Sequence, residues 1–388
     1  MSAVAGDSQP SFIILAEGLF DNETSKTAAS AIRYLPDRVR CVIDSTQAGR
    51  TSEQVLGFGG DIPVVATLEE ALEVGERSGA SGGPPGAESG ESDSDAPTAI
   101  LIGIAPQGGV LPPEARHLLL SAIDAGLGVW SGLHTFLSDD PELSERAKRA
   151  GVPLVDLRRS PADLPVATGK AADSGTFRLL TVGTDCNVGK MTVCLELRRE
   201  LRARGMAANF AGTGQTGILI DGRGIAVDAV VADFLAGAAE RLTLDAAQGA
   251  DIVLVEGQGS LLHPGYSPVT LGLLHGVMPQ AMILCWLPNR PSIYGGNYDW
   301  VTIPPLDQVV RMYEEAAGWV NPPFRSRVIG LAANTYDMRE DEARRAVEAA
   351  TELTGLPATD PIRFGSDPLV DAVLAAKTAS VPVPSGDQ

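Results

Sequence analysis

Short apolar runs alternate with segments of helical periodicity along most of the chain. Up to residue 160 the apolar runs lie at 12–16, 40–44, 63–66, 99–104, 128–131 and 153–156. Beyond it they lie at 177–182, 207–211, 251–255, 281–287 and 328–333, with helical patterns at 193–204, 230–247, 270–275, 306–317 and 340–354. This alternation is typical of βαβ units, so it predicts an α/β protein built on parallel sheets.

Two domains are predicted from where the pattern breaks. The polar stretch 159–175 carries two prolines and separates the two series of apolar runs. We therefore expect a Rossmann-like domain at 10–158, a linker at 159–175, and a P-loop NTPase-like, doubly wound domain at 176–388. Residues 77–97 are rich in Gly, Ser, Pro, Glu and Asp without apolar periodicity, which predicts a flexible surface insertion.

The loop between the run at 177–182 and the helix at 193–204 is the strongest chemical signal. It is bounded by Gly183 and Gly189 and closes on Lys190. A glycine loop between a strand and a helix gathers backbone N–H groups and the positive helix end around an anion, so it predicts a phosphate site with Lys190 as the cation. Five residues separate the glycines where the usual P-loop has four, and Met191 replaces the usual Ser or Thr. Thr192 offers a hydroxyl one position later, and the other predicted contacts in this loop are Thr184, Asp185 and Asn187.

Glu256 comes directly after the apolar strand at 252–255 and opens a Gly-Gln-Gly segment. A carboxylate at a strand end in a nucleotide fold is a typical Mg²⁺ ligand. The alternatives are a capping role or a pair with an arginine.

Two further loops offer groups for a small substrate. Gly214, Gln215 and Thr216 follow the strand at 207–211 in a turn predicted at 212–217 and suit a carboxylate or an oxyanion. The long segment 288–305 is a candidate lid, in which Arg290, Tyr294 and Asn297 are the polar groups suited to an acidic substrate.

Several single residues are candidates with open alternatives. Asn334 follows the strand at 328–333, where it either binds a purine edge or simply ends the strand. Asp233 supplies a second metal contact, orients a substrate amine or is an ordinary acid at a helix start. Of the four histidines, His263 is best placed for proton transfer, because it follows the Glu256 loop; His117, His134 and His275 are interpreted as structural.

Charge and composition restrict the partners. With 49 acidic and 30 basic residues the formal net charge is −19, which argues against nucleic acid and anionic membranes. There is neither an apolar run of about 18 residues nor a basic, apolar leader, so a soluble cytoplasmic protein is expected.

The acidic, lysine-poor composition indicates either a high-salt cytosol, as in a halophile, or a GC-rich genome. The oligomeric state stays open, a homo-oligomer included.

The residues Gly183 to Lys190, Glu256 to Gly259 and Asn334 resemble those of dethiobiotin synthetase and its relatives. That resemblance covers the second domain. It implies phosphate binding by Lys190, Mg²⁺ binding by Glu256 and Asp185, and base recognition by Asn334; Met191 leaves the metal role of a hydroxyl, here Thr192, open. On this analogy the protein is an ATP-dependent ligase or kinase acting on a small carboxylate.

Nearly the whole chain resembles the DgcN-like family, formerly a domain of unknown function. The residues that carry the likeness include Ala16-Glu17-Gly18, Asp44 to Gly49, Ser131 to His134, Lys190-Met191-Thr192, Ala232-Asp233-Phe234 and Tyr294 to Asp299. The resemblance implies a D-glutamate N-acetyltransferase that uses acetyl-CoA, active on D-glutamate or a similar D-amino acid in D-amino-acid catabolism.

The ligase and the acetyltransferase hypotheses both require phosphate binding by the loop at 183–190. Coenzyme A carries an adenine nucleotide and a pyrophosphate, so this loop can hold CoA or ATP. For acetyl transfer, His263 or Asp233 would take the ammonium proton, and backbone donors near Gly214 or Gly257 would stabilise the oxyanion. A nucleotide-binding regulatory protein is the third hypothesis.

Overall fold

The computed structural model describes residues 9–22, 24–79, 96–104, 111 and 113–380. They divide into two compact units. The first contains the residues up to Arg159 and Ile218–Arg223; the second contains Ser160–Gly217 and the residues from Gly224 onward.

The strands are β1 Phe12–Leu15, β2 Val39–Ile43, β3 Val64–Val65, β4 Ala99–Ile102, β5 Gly128–Ser131, β6 Leu154–Asp156, β7 Phe177–Gly183, β8 Ala208–Ala211, β9 Ile252–Val255, β10 Ala281–Trp286, β11 Arg327–Ala333 and β12 Ala358–Thr359. The helices are α1 Lys26–Tyr34, α2 Ser52–Leu56, α3 Leu68–Gly79, α4 Pro113–Asp124, α5 Pro141–Ala150, α6 Lys190–Ala203, α7 Gln215–Asp221, α8 Ala232–Ala247, α9 Ser267–Val277, α10 Leu306–Gly318, α11 Glu340–Thr354 and α12 Asp367–Ala379.

The first unit is built on a parallel sheet with the strand order β3-β2-β1-β4-β5-β6. This is the order of a Rossmann-like fold, in which the chain reverses direction across the sheet between the first and fourth strands. Strands β1, β4 and β5 are buried along their whole length, as expected for a sheet covered by helices on both faces.

The second unit has a parallel sheet with the order β12-β11-β10-β7-β9-β8. Strand β7 lies between β9 and β10 and is buried over all seven of its residues. The loops after β7, β8, β9, β10 and β11 leave the sheet at one edge, because parallel strands end on the same side. The predicted combination of a Rossmann-like and a P-loop domain is therefore confirmed.

Some elements differ from their prediction. Helix α7 begins inside the predicted turn 212–217, at Gln215, so the Gly-rich sequence continues into helix. Helix α5 was not predicted; it starts at Pro141, with the Asp140 side chain accepting hydrogen bonds from the N–H groups of Glu142 and Leu143. Helix α12 was also missed, although it buries Leu369, Val370 and Val373 at helical spacing.

The predicted insertion 77–97 overlaps α3, which continues to Gly79. The rest of it, residues 80–95, lies outside the described residues. Across the parts of the chain that the structure does describe, every helix is too short or too polar to cross a bilayer.

Candidate functional site

The loop at 183–190 has the backbone of a tight anion cradle. Gly183 ends β7, and a Cβ there would lie 2.7 Å from Cγ2 of Val188 and 3.1 Å from Nζ of Lys190. Asn187 and Gly189 have positive φ angles of 59° and 98°. Since α6 begins at Lys190, its positive end faces this loop. The local backbone therefore has the form that a phosphate site requires, and phosphate binding by this loop stays a prediction.

Lys190 is buried in this loop, with 7% of its surface exposed. Its Nζ donates a hydrogen bond to the main-chain oxygen of Asp185 at 2.7 Å. Burial lowers the pKa of the ammonium group, while the nearby thiol and carboxyl groups, including those of Cys186 and Glu256, act to raise it. An anionic ligand would supply the counter-charge that water supplies to an exposed lysine.

Glu256 is a buried carboxylate at the end of β9. Its Oε2 accepts hydrogen bonds from the N–H groups of Thr213, at 3.0 Å, and Gly214, at 3.3 Å. Burial raises the pKa of this carboxyl to about 7, against the opposing effect of those two hydrogen bonds. The loops after β8 and β9 thus place an acid that titrates near neutrality, as is typical of functional carboxyls.

Gly257 joins this carboxylate to the strand that carries the phosphate loop. Its N–H donates to Oγ1 of Thr181 at 3.0 Å. A Cβ on Gly257 would lie 1.7 Å from the main-chain oxygen of Thr181 and 3.1 Å from Cδ of Lys190. Only glycine permits this approach, which fixes Glu256 relative to Lys190.

Asp185 connects the phosphate loop to the segment 288–305. Its Oδ2 accepts hydrogen bonds from Nη1 of Arg290, at 3.2 Å, and from the N–H of Tyr294, at 2.8 Å. Its Oδ1 accepts from the N–H of Cys186 at 2.6 Å. The guanidinium of Arg290 also lies over the Tyr294 ring, 4.9 Å from its centroid. Arg290, predicted to bind substrate, therefore pairs with Asp185 in this structure.

His263 is buried between two tyrosines. The ring centroids of Tyr266 and Tyr298 lie 4.4 Å and 4.7 Å from its own. Its Nδ1 accepts a hydrogen bond from the N–H of Gly265 at 3.1 Å, so the neutral ring carries its proton on Nε2. Burial lowers the pKa of the imidazole and favours this neutral form. His263 is thus arranged to donate a hydrogen bond from Nε2.

A ring nitrogen of His263, a carboxylate oxygen of Asp185 and Sγ of Cys186 all lie within 4.8 Å of one another. The sequence pattern places Cys186 in the loop but gives it no role. A cysteine just before a helix N-terminus is a recognisable signal of a reactive thiol. Its juxtaposition with His263, 77 positions away, follows only from the fold.

The remaining predicted residues differ in their burial. Asn334 reaches the loop, because its Nδ2 lies 3.8 Å from the position of a Cβ on Gly189. Met191 and Thr192 are half-buried in the first turn of α6, and Gln215 and Thr216 are half-buried in α7. Asp233, in the first turn of α8, and Asn297 are exposed.

The two carboxylates predicted to bind Mg²⁺, those of Asp185 and Glu256, are not equally suited to hold a metal ion. Both carboxylate oxygens of Asp185 accept hydrogen bonds, and one of the donors is cationic Arg290. A metal ion there would have to displace that contact, so Asp185 fits poorly. Glu256 fits better, because both of its hydrogen bonds from backbone N–H groups reach the same oxygen.

Comparison with known proteins agrees with this architecture. Residues 45–160 match the Rossmann-like domain of unknown function DUF1611_N, and residues 165–370 match the P-loop domain of unknown function DUF1611_C. The crystal structure of a DUF1611 family protein from Anabaena variabilis has a TM-score of 0.85 and 36% sequence identity, covering 95% of this chain and 100% of that one.

Two relatives carry the name D-glutamate N-acetyltransferase. The one from Tritonibacter scottomollicae is 40% identical over 277 residues, which is 71% of this chain and 81% of the relative. The one from a Pseudoalteromonas species is 37% identical over 271 residues, or 70% of this chain and 80% of the relative. The chain therefore belongs to the DUF1611 family, whose members combine a Rossmann-like N-terminal domain with a P-loop C-terminal domain.

Proposed function

We propose that this protein is an N-acetyltransferase that moves the acetyl group of acetyl-CoA to the amine of D-glutamate. The observation that carries this proposal is the 40% identity to a D-glutamate N-acetyltransferase over 81% of that protein's length. The site supports it, because it combines an anion cradle with a buried lysine, a carboxyl that titrates near neutrality and a neutral histidine. D-amino-acid catabolism in the cytoplasm is the proposed setting.

The 183–190 loop is proposed to hold the phosphates of acetyl-CoA. Lys190 then exchanges the main-chain oxygen of Asp185 for a phosphate oxygen, and the N-terminal end of α6 adds its partial positive charge. Asn334, next to Gly189, is the proposed contact for the adenine edge.

Acetyl transfer also needs a proton acceptor and an oxyanion donor. The ammonium group of D-glutamate must lose a proton before its nitrogen can attack a carbonyl carbon. Glu256, with its pKa raised to about 7, is matched to this task near neutral pH. The Nε2–H of neutral His263 is suited to the oxyanion, where one preorganised donor is typically worth about 3 kcal/mol. This division of roles differs from the sequence-based interpretation, in which His263 or Asp233 is the base.

The experiment is a coupled measurement of thiol release and product mass. Purified protein is incubated with acetyl-CoA and D-glutamate, with L-glutamate as the matched control, over a range of salt concentrations suited to a chain of net charge −19. The proposal expects release of CoA thiol and N-acetylglutamate with the D-isomer. Thiol release no faster than without substrate, together with ADP formation from ATP and Mg²⁺, would favour the dethiobiotin synthetase-like alternative.

A further inference from the structure

The thiol of Cys186 lies in a setting typical of cysteine nucleophiles. A nucleophile, a histidine and a carboxylate form one group, since Sγ of Cys186, a ring nitrogen of His263 and an oxygen of Asp185 all lie within 4.8 Å of one another. The carboxylate of Asp185 is itself fixed by Arg290 and by the N–H of Tyr294. The fold thus makes neighbours of the three residue types that nucleophilic sites combine, whatever their order in the sequence.

Two cationic side chains and a helix N-terminus lie near Cys186, together with the carboxylate of Asp185. The Cys186 side chain acts to raise the pKa of Lys190, so an ionised thiol would attract this ammonium group. Nη1 of Arg290 donates a hydrogen bond to the main-chain oxygen of Cys186 at 3.1 Å. The positive end of α6 begins four residues further along. Arg290 pairs with the Asp185 carboxylate, and the other positive groups stabilise a thiolate and oppose a divalent cation. Together they favour a nucleophile over a metal site made of the same three side chains.

Exposure separates Cys186 from the other three cysteines. Cys41, Cys194 and Cys285 are buried, whereas Cys186 is partly exposed. Burial raises the pKa of the Cys41 and Cys285 thiols to about 12, and it raises that of Cys194 as well. Cys186 is therefore the cysteine that a thioester can reach.

We propose that the acetyl group passes through Cys186, which makes the reaction a two-step transfer; this inference rests on the proposed acetyltransferase function. In the first step the Cys186 thiolate attacks the carbonyl carbon of acetyl-CoA. The new C–Sγ bond forms, the bond to the CoA sulfur breaks, and CoA leaves as a thiolate that takes a proton from water, leaving a hydroxide ion.

In the second step the neutral amine of D-glutamate attacks the acetyl-cysteine. The C–N bond forms, the C–Sγ bond breaks, and the Cys186 thiolate is regenerated. The nitrogen loses one proton before its attack and one after it; both pass through a buried acid such as Glu256 to water, where one of them neutralises the hydroxide left by the first step. No oxidant or reductant is needed. His263 donates from Nε2 to the oxyanion in both steps.

The test is to incubate the wild-type protein with acetyl-CoA alone and map the acetyl group by peptide mass spectrometry. We expect one acetyl group on the peptide that contains Cys186, released by neutral hydroxylamine, with one CoA thiol freed per protein chain. Adding D-glutamate is expected to discharge it as N-acetylglutamate. Cys186→Ala is expected to lower the steady-state rate by more than about 100-fold, while Cys41→Ala, the matched control in the first unit, stays near wild type.

The outcomes separate this inference from the proposed function. Acetylation of D-glutamate by wild type, with Cys186→Ala equally active or with Cys186 unlabelled, would overturn the two-step route and leave the acetyltransferase standing. No acetylation of D-glutamate by wild type would overturn the proposed function itself. Cys186→Ser keeps the size of the side chain and guards against a folding defect: an acetyl ester that accumulates on the introduced hydroxyl would support the same route.

Discussion

Lys190 donates its hydrogen bond to the main-chain oxygen of Asp185, a residue of the same loop, at 2.7 Å. The ammonium group is thus held inside the loop at 183–190, and only 7% of the Lys190 surface is exposed. A phosphate ligand would replace a neutral acceptor by a charged one, and charge-assisted hydrogen bonds are the stronger kind.

Lys190→Ala is expected to weaken acetyl-CoA binding by about 10- to 100-fold, because a hydrogen bond to a charged group contributes roughly 1.5–3 kcal/mol. Isothermal titration calorimetry measures the dissociation constant directly. The control is Lys148→Ala, which removes an exposed lysine from α5 in the first unit. An unchanged affinity in Lys190→Ala would mean that this loop does not bind CoA.

Glu256 gives a pH dependence with a definite sign. Its folded-state pKa of about 7 lies above the ordinary value of 4.5. Between these values the folded protein holds a proton that the unfolded chain has lost, so this carboxyl lowers the free energy of unfolding as pH rises through that window. The full effect is about 3 kcal/mol.

Glu256→Gln removes this titration and keeps an oxygen for the N–H groups of Thr213 and Gly214. We expect the variant to have a higher Tm than wild type at pH 8 and a similar Tm at pH 5, both measured with EDTA present. A Tm difference that does not change with pH would show that burial of the Glu256 charge is not the cause.

Gly257 is expected to tolerate no side chain. In Gly257→Ala the new methyl group meets the main-chain oxygen of Thr181 and the stem of Lys190, so β9 and β7 must separate at their ends. Urea denaturation should show a lower free energy of unfolding, and acetyl transfer should fall with it. Gly318→Ala is the matched control, because open space surrounds that position at the end of α10; equal stability of the two variants would contradict the assigned packing.

The ion pair between Arg290 and Asp185 is expected to stabilise the fold more than an exposed ion pair does. Asp185 is fully buried, so Arg290→Ala leaves a buried carboxylate without its cation, at an expected cost of about 3 kcal/mol. Arg311→Ala breaks the pair with Asp307, in which the arginine is exposed, and should cost less than about 1 kcal/mol. If urea unfolding gives the two variants the same loss, Arg290 is not the partner that stabilises Asp185.

Much of the fold follows from local pattern. The alternation of apolar runs and helical repeats predicts both parallel sheets, because a strand buried on both faces is mostly apolar, as β9 is over its whole length. Strand β7 is equally buried although it contains Arg178 and Thr181. The failures lie where local signals conflict. The glycines of 212–217 indicate a turn, yet Gln215 begins α7, and the small, alanine-rich sequence of α12 obscured its buried Leu369, Val370 and Val373.

The site was only partly predictable. Gly183, Lys190 and Glu256 follow strand ends and share one sheet edge, which a parallel topology requires. Side-chain pairing has no such local signal: Arg290 meets Asp185 across 105 positions of sequence. The hydrogen bond from Gly265 to His263 likewise sets which ring nitrogen carries the proton, and this changes the expected role of His263 from base to donor.

The most direct test of the account is the rate of CoA thiol release from acetyl-CoA with D-glutamate, measured side by side for wild type, Lys190→Ala and Lys148→Ala. We predict that release by wild type depends on D-glutamate, yields one N-acetylglutamate per thiol, persists in Lys148→Ala and is largely lost in Lys190→Ala at limiting acetyl-CoA. Repeated turnover without D-glutamate, beyond the one thiol per chain that acetylation of Cys186 frees, would contradict the account, and so would a rate of release that Lys190→Ala leaves unchanged.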